Sequence, residues 1–283
     1  MNSKEVIIII VNPALDRRKR KRILNLVEQT LLQQSVLFKI FNTEWPEEIN
    51  RYKEIWLIGG DGTLNYLLNY YRDISIPIAI FKGGTGNDFA WRLYGNLTVS
   101  KQIDRILSGS PRLVDAAMCN GRIFINGAGI GFDGEVLRAI NTVRRIGGHA
   151  GYLLIVLRKL FTFREKHFAI TFQNKVIKGR YLLVMITNSS RTGGGFLVAP
   201  TARIDDGKLD LILCKPLSIF KRLSSLPIIE KGDHLEKDFI YHQHVTKLSV
   251  ESTDIVYAQI DGELIEGKSF EITVMPNRYW FKY

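Results

Sequence analysis

The sequence predicts two successive domains, an α/β domain built on a parallel sheet and then a mostly β, sandwich-like domain. Three observations carry this. Short β-branched runs alternate with helical-period apolar patterns up to about residue 110. Beyond Pro111 most apolar runs are short and strand-like. Two glycine-rich loops, at Gly59 to Thr63 and Gly83 to Gly86, each stand between a strand and a helix, where open α/β folds bind their ligands. The expected division is 1–116 and 117–275, with a C-terminal strand, 276–283, that can return to the first domain.

Val6 to Val11 has the length and β-branching of a buried parallel strand. Leu24, Val27 and Leu31 then recur at helical spacing behind a basic first turn, Arg17 to Arg22. Val36 to Phe41 alternates as a strand, and Ile55 to Ile58 is a short buried one. Leu64, Leu67, Leu68 and Tyr71 mark a second helix face, and Ile76 to Phe81 a fourth strand. In the second domain the strand-like runs are Arg122 to Asn126, Phe168 to Phe172, Tyr181 to Thr187, Leu209 to Cys214, Lys247 to Ser252 and Phe270 to Val274. One stretch differs: Val136, Ile140 and Val143 share a helical face, which Tyr152 to Leu160 continues after the Gly147-Gly148 break.

The 283 residues suffice for one large or two medium domains, each with its own core. An apolar fraction of 46% and a charged fraction of 24% are those of a globular chain. Two cysteines, Cys119 and Cys214, make a disulfide framework improbable and point to a reducing compartment. The longest later apolar stretch, Tyr152 to Leu157, ends at Arg158-Lys159, far short of the about 20 residues that a bilayer span needs. A net charge of +11 favours anionic partners. No zinc-finger, basic-zipper or RNA-recognition signature accompanies that charge, so nucleic acid is not an expected partner.

Three phosphate-binding spacings occur, and context separates them. Gly262 to Ser269 fits the P-loop literally, but a P-loop opens a helix, and Phe270 to Val274 alternates as a strand. Glu263 and Glu266 would also repel phosphate. Gly129, Gly131 and Gly134 fit G-x-G-x-x-G, yet the acidic residue that a dinucleotide fold places about 20 positions on is missing. A tight turn between strand and helix is the expectation there. Ile58-Gly59-Gly60-Asp61-Gly62-Thr63-Leu64-Asn65 follows a buried strand and opens an amphipathic helix. Its glycines let backbone approach phosphate oxygens, and Thr63 and Asn65 add side-chain donors. Lys82-Gly83-Gly84-Thr85-Gly86-Asn87-Asp88-Phe89 repeats the arrangement on the next strand, so the two loops can cradle one nucleotide.

Gly-Gly-Asp-Gly-Thr followed by Gly-Thr-Gly-Asn-Asp-Phe-Ala resembles the diacylglycerol kinase catalytic-domain family, which also includes sphingosine and other lipid kinases. The likeness extends through Asp115, Thr187-Asn188 to Gly193-Gly194-Gly195 and Pro200, Asp205-Asp206-Gly207, and Gln259-Ile260-Asp261-Gly262-Glu263. It implies a soluble kinase, cytoplasmic and peripheral at the inner membrane surface, that uses ATP and Mg2+ to phosphorylate a lipid hydroxyl. By that resemblance Asn12, Thr43, Gly59, Gly60, Asp61, Gly62, Thr63, Asn65 and Thr85 contact the nucleotide. Glu263 is the proton acceptor, with Asp61 the rival base. Asp115 joins a water and magnesium network, and Asp206 with the carbonyls of Arg203 and Lys208 forms a structural magnesium site, as a hard cation prefers. Bacterial relatives often pair, so a homodimer is among the expected partners.

The chain departs from the family pattern at Ala14-Leu15-Asp16 after Asn12-Pro13, at Trp91 before Arg92, and at Lys82. A lipid substrate requires membrane contact. Arg138, Arg144, Arg145, Arg158, Lys159, Arg164 and Lys166 lie among apolar residues, as do the bases of Lys215 to Lys231, and such segments bind anionic headgroups. The alternative is that these helices pack their apolar faces on the β domain. Two other readings of the whole chain stay open: a soluble-substrate kinase of the NAD kinase type, which shares Gly-Gly-Asp-Gly-Thr, and a non-enzymatic nucleotide-binding protein.

Overall fold

The computed structural model describes residues 3–142 and 148–283. Val143, Arg144, Arg145 and Gly147, which the sequence reading used, lie outside the described residues. The chain forms two compact units: residues up to Val114 together with Asn277–Tyr283, and Asp115–Pro276.

The first unit begins with β1 (Ile7–Val11), buried along its whole length. Asp16 caps the next element, α1 (Arg17–Gln33), by accepting the Lys19 N–H at 2.9 Å. The buried face of α1 is Ile23, Val27 and Leu31, one residue off the Leu24 register expected from sequence. Strand β2 (Phe38–Phe41) and β3 (Glu54–Gly59) flank β1, both parallel to it. Helix α2 (Asp61–Tyr70) follows, then β4 (Ile78–Lys82), parallel to β3. Short α3 (Asp88–Tyr94) and α4 (Val99–Ser108) complete the unit. Its sheet order is β2-β1-β3-β4, with Phe281 of the C-terminal segment pairing beside Ile78 on β4. Every strand-to-helix crossover therefore leaves its loop at the carboxyl edge of this parallel sheet, which puts the two glycine loops on adjacent strand ends.

The chain enters the second unit along β5 (Pro111–Cys119), which pairs with β6 (Arg122–Phe124). Then come β7 (Gly127–Gly131), α5 (Phe132–Thr142), α6 (Gly148–Thr162) and the hairpin β8 (Lys166–Phe172)–β9 (Lys175–Tyr181). Strands β10 (Leu183–Thr187) and β11 (Leu209–Cys214), helix α7 (Ile219–Lys231), and strands β12 (Ile240–Val245), β13 (Lys247–Ile260) and β14 (Glu263–Lys282) follow. The order β12-β11-β10-β7-β13-β14 is antiparallel throughout, with β8 added to β13. One apolar layer joins Phe168, Ile170 and Phe172 to Leu211, Leu213, Val250 and Ile260, which makes this half sandwich-like. A second gathers Val136 of α5, Ile155, Val156 and Leu160 of α6, and Phe163 just after it, against Leu182 and Cys214.

One sequence expectation changes here, and another, that the P-loop spacing at Gly262 holds no P-loop, is borne out. The stretch holding Gly129 and Gly131 is no turn but strand β7 inside the sheet, where Gly129 pairs with Met185 and with Gln259. With only Ala128 and Ile130 between its glycines, the strand shows too short an alternation to set it apart from a turn. Gly134 instead serves packing: a Cβ there would stand 2.2 Å from the Tyr257 carbonyl carbon, so α5 lies directly on the backbone of β13. The literal P-loop at Gly262 is a hairpin turn. Asp261 and Gly262 have φ of +48° and +87° between the paired Ile260 and Glu263, as a two-residue Asp-Gly turn requires.

Candidate active site

The two glycine loops of the first unit are fastened to each other by backbone. The Gly83 N–H donates to the Gly59 carbonyl at 2.7 Å. A Cβ on Gly60 would fall 2.8 Å from Gly84 Cα, so side chains are excluded where the loops meet. At Gly62, by contrast, a Cβ would meet no protein atom within 4 Å. The fold itself does not require glycine there, and its absence of side chain keeps the first turn of α2 open. The N–H groups of a helix start have no intrahelical partner and carry positive partial charge, the standard condition for holding phosphate.

Several polar side chains hold this frame. Asn12, just after β1, donates from Nδ2 to Thr63 Oγ1 at 2.8 Å, and its Oδ1 accepts the Ala14 N–H at 2.9 Å. The altered residues that follow Asn12-Pro13 thus still form a turn tied to α2. Asp61 accepts the Asp88 and Phe89 N–H groups, both at 3.0 Å, one on each carboxylate oxygen. It caps α3 and locks the second glycine loop to the first. Asn87, in the left-handed region at φ +54°, accepts the Gly84 N–H at 2.8 Å. Lys19 reaches across to the Gly84 carbonyl at 2.9 Å and brings positive charge beside the loops. Lys82 bonds the Gly95 carbonyl. Thr43 and Thr85 are exposed, whereas Thr63 and Asn65 are buried, and Asn65 Oδ1 accepts from Asn69 at 3.3 Å.

The remaining candidates belong to the second unit. Glu263 is exposed, the first residue after the Asp-Gly turn. Its neighbour Asp261 is buried and fully occupied with the fold: its carboxylate accepts the N–H groups of Ile125, Asn126 and Gly127 at 2.7 to 3.0 Å. These bonds pin the hairpin end that presents Glu263. Asp206 Oδ1 accepts the Lys208 N–H at 3.1 Å, closing the turn on itself. Asp115 is 1% exposed and accepts the Gly207 N–H at 2.6 Å, so it holds this turn in place. Arg203 pairs with Asp205 at 3.3 Å. Asn188, buried, donates to the carbonyls of Asp115 and Ile125 at 2.9 Å each.

Sequence reasoning passed over two features. Asp133, at the start of α5, has its carboxyl pushed up to about 6 by burial, against a hydrogen bond with Gln259. Asp210, His242 and His244 form a cluster that no local spacing announces, because the aspartate and the histidines come from different strands. His-x-His alone was the available signal.

A parallel α/β unit with paired glycine loops, joined to a β-sandwich-like unit, defines a phosphotransferase class in which backbone amides hold a nucleotide. Residues 6–119 match the diacylglycerol kinase catalytic domain, and residues 127–279 match the YegS C-terminal NAD kinase beta sandwich-like domain. A relative from Shewanella frigidimarina named "Probable lipid kinase YegS-like" is 30% identical over 79% of this chain and 74% of its own length. The diacylglycerol kinase of Bacillus subtilis is 26% identical over 72% of this chain and 69% of its own. The fold matches a diacylglycerol kinase from Bacillus anthracis with a TM-score of 0.75 at 22% identity, covering 99% of this chain and 97% of that one. This chain belongs to the diacylglycerol kinase/YegS family of lipid kinases, phosphotransferases with an alcohol acceptor. Membership in a kinase family implies ATP as phosphate donor. Among the described residues no helix is long and apolar enough to cross a membrane.

Proposed function

We propose that this chain phosphorylates the hydroxyl of a diacylglycerol-class lipid at an anionic membrane surface, with Glu263 as the base. The single observation that carries the nucleotide half is the fastening of the two glycine loops at the start of α2. When bound, Mg-ATP supplies the phosphoryl group. The first-turn amides of α2 and the 83–86 loop hold its phosphates, Asn12 and Asp61 keep those loops in register, and Lys19 offsets their charge. Thr43 and Thr85 offer exposed hydroxyls. Phosphoryl transfer asks for positioning, charge neutralisation and a carboxylate beside the nucleophile. Glu263, exposed on a pinned hairpin, takes the proton that the lipid hydroxyl gives up. Asp61, with both carboxylate oxygens bound to α3, serves as the fastener. Asp206, with the carbonyls of Arg203 and Lys208, holds a structural magnesium ion in a turn that Asp115 braces.

The membrane-facing part of the proposal rests on exposed aromatics. Most apolar residues of α5 and α6 are packed inside, which matches the alternative weighed from sequence. Phe161 and Phe220 remain exposed, at 53% and 86%. Their helices are tied together, because Arg222 on α7 donates to the Leu160 and Phe163 carbonyls at the end of α6. Exposed Arg158, Arg164 and Lys221 surround them in sequence, the mixture that anionic surfaces attract. The enzyme then works from the cytoplasmic face.

The test is transfer of labelled γ-phosphate from Mg-ATP to a panel of lipids in mixed micelles, with NAD as soluble control. Label in diacylglycerol is expected. Label in NAD alone would transfer the chain to the soluble-substrate reading, and label in a sphingoid base alone would replace the proposed lipid class.

A further inference from the structure

The second unit carries a cluster of metal-ligating side chains that the kinase chemistry does not use. Asp210 lies on β11, and His242 and His244 lie on β12, the edge strand of its sheet. In the antiparallel register Asp210 stands opposite His244, while His242 stands opposite Ile212. Alternation puts residues two apart on one face, so both imidazoles and the carboxylate share a face. Asp210 Oδ1 is 2.6 Å from His242 Nε2 and 3.3 Å from His244 Nε2. All three ligand atoms lie within 4.8 Å of one another.

The 3.3 Å separation matches tetrahedral ligand spacing, and the 2.6 Å one, a hydrogen-bond distance, has to widen by some tenths of an ångström around an ion. A transition metal bound at about 2.0–2.1 Å sets ligand atoms roughly 2.9 Å apart in octahedral and roughly 3.3 Å apart in tetrahedral geometry. The donor set is selective too, since two imidazoles favour zinc, iron, nickel or copper over magnesium. Access and anchoring are both provided. The Asp210 side chain is 5% exposed, whereas those of His242 and His244 are 22% and 47% exposed.

A second observation points to the same place. Thr187 on β10 is opposite Asp210 in register, so the row Thr187–Asp210–His244 crosses three strands on one face. Thr187 is 1% exposed, and its Oγ1 has no hydrogen-bond partner. A buried hydroxyl left without a partner is costly. A water carried by an ion on this face is the kind of partner that the hydroxyl lacks.

We infer that Asp210, His242 and His244 form a binding site for one divalent transition-metal ion of the zinc class, separate from the magnesium used in phosphoryl transfer. The ion takes the place of the Asp210–His242 hydrogen bond, with each neutral imidazole carrying its proton on Nδ1, and it fastens edge strand β12 to β11. That role requires no contact with nucleotide or lipid.

The full chain, purified without a histidine tag and stripped with chelator, is titrated with Co2+ while its visible d–d bands are recorded. One equivalent binding is expected, with Zn2+ displacing it and millimolar Mg2+ leaving it in place. His242→Gln with His244→Gln, which keeps polar groups on the strand, is expected to weaken binding at least 100-fold. His167→Gln, on β8 and outside the cluster, is expected to bind as the parent does. Circular dichroism verifies that the variants fold. Should they not, broadening by Co2+ of the His242 and His244 imidazole NMR signals, with His167 spared, reads the same site in the parent chain. Binding that is absent, that persists unchanged in the double variant, or that Mg2+ displaces overturns the assignment.

Discussion

Replacing Asp61 by Asn separates fastening from chemistry at the glycine loops. The carboxylate accepts two N–H groups, from Asp88 and Phe89, at 3.0 Å each. Asn offers one acceptor, and its amide NH2 turns donor against donor on the other side. The loss is one charge-assisted hydrogen bond, about 1.5–3 kcal/mol. A further loss of about 0.3–1 kcal/mol comes from the charge at the helix start. A helix of seven residues cannot hold itself without such support. Its opening would also uncover Phe89, which is fully buried and meets Phe281 edge-on at 5.1 Å. The sum, about 2–4 kcal/mol, lowers amide protection at residues 88–91 by about 30- to several-hundred-fold, since each 1.4 kcal/mol is tenfold. Native-state hydrogen exchange reads this directly. Nucleotide affinity is expected to fall with it. Transferase activity lost while protection at Asp88 and Phe89 stays at the parent level would refute the reasoning and make Asp61 the base.

Three further outcomes are expected. Glu263→Gln keeps nucleotide affinity, because the residue is an exposed hairpin position, and lowers turnover on lipid by about 10²–10⁴-fold, the usual worth of a general base; full turnover moves the base elsewhere. Asp133 is raised to about 6 from 3.8, so its contribution to stability is present below the unfolded value and is lost as pH rises through 6. Asp133→Asn therefore stabilises the chain at pH 8 by at most about 3 kcal/mol and leaves it unchanged near pH 3, read from urea midpoints; equal effects at both pH values contradict this. Burial pushes the Cys119 and Cys214 thiols up to about 12, so neither reacts with iodoacetamide at pH 8 until urea unfolds the chain.

The alternating part of the fold was legible because it rests on side-chain periodicity. Ile7–Val11 and Leu209–Cys214 are uninterrupted apolar strands, and Leu64, Leu67 and Leu68 sit on one buried face of α2. Gly127–Gly131 was not legible, since only Ala128 and Ile130 carry side chains along it, and its place in the sheet is fixed by partners more than 50 residues away. The glycine loops were readable from local order alone. What each polar residue does in them was not. The family resemblance offers Asp61 as a nucleotide contact and rival base, and only the fold brings it to the start of α3. The Asp210–His242–His244 cluster was invisible for the same reason, being assembled by strand register rather than by spacing.

The most direct test compares transfer of labelled phosphate from Mg-ATP to diacylglycerol micelles by the parent chain and by Gly60→Ala. The added methyl would lie 2.8 Å from Gly84 Cα, at the point where the loops touch. Labelled lipid from the parent, and at least tenfold less from the variant with its far-ultraviolet circular dichroism intact, is the expected result. No labelled lipid from the parent, or equal rates from both chains, would contradict the claim that the paired glycine loops hold the nucleotide for lipid phosphorylation.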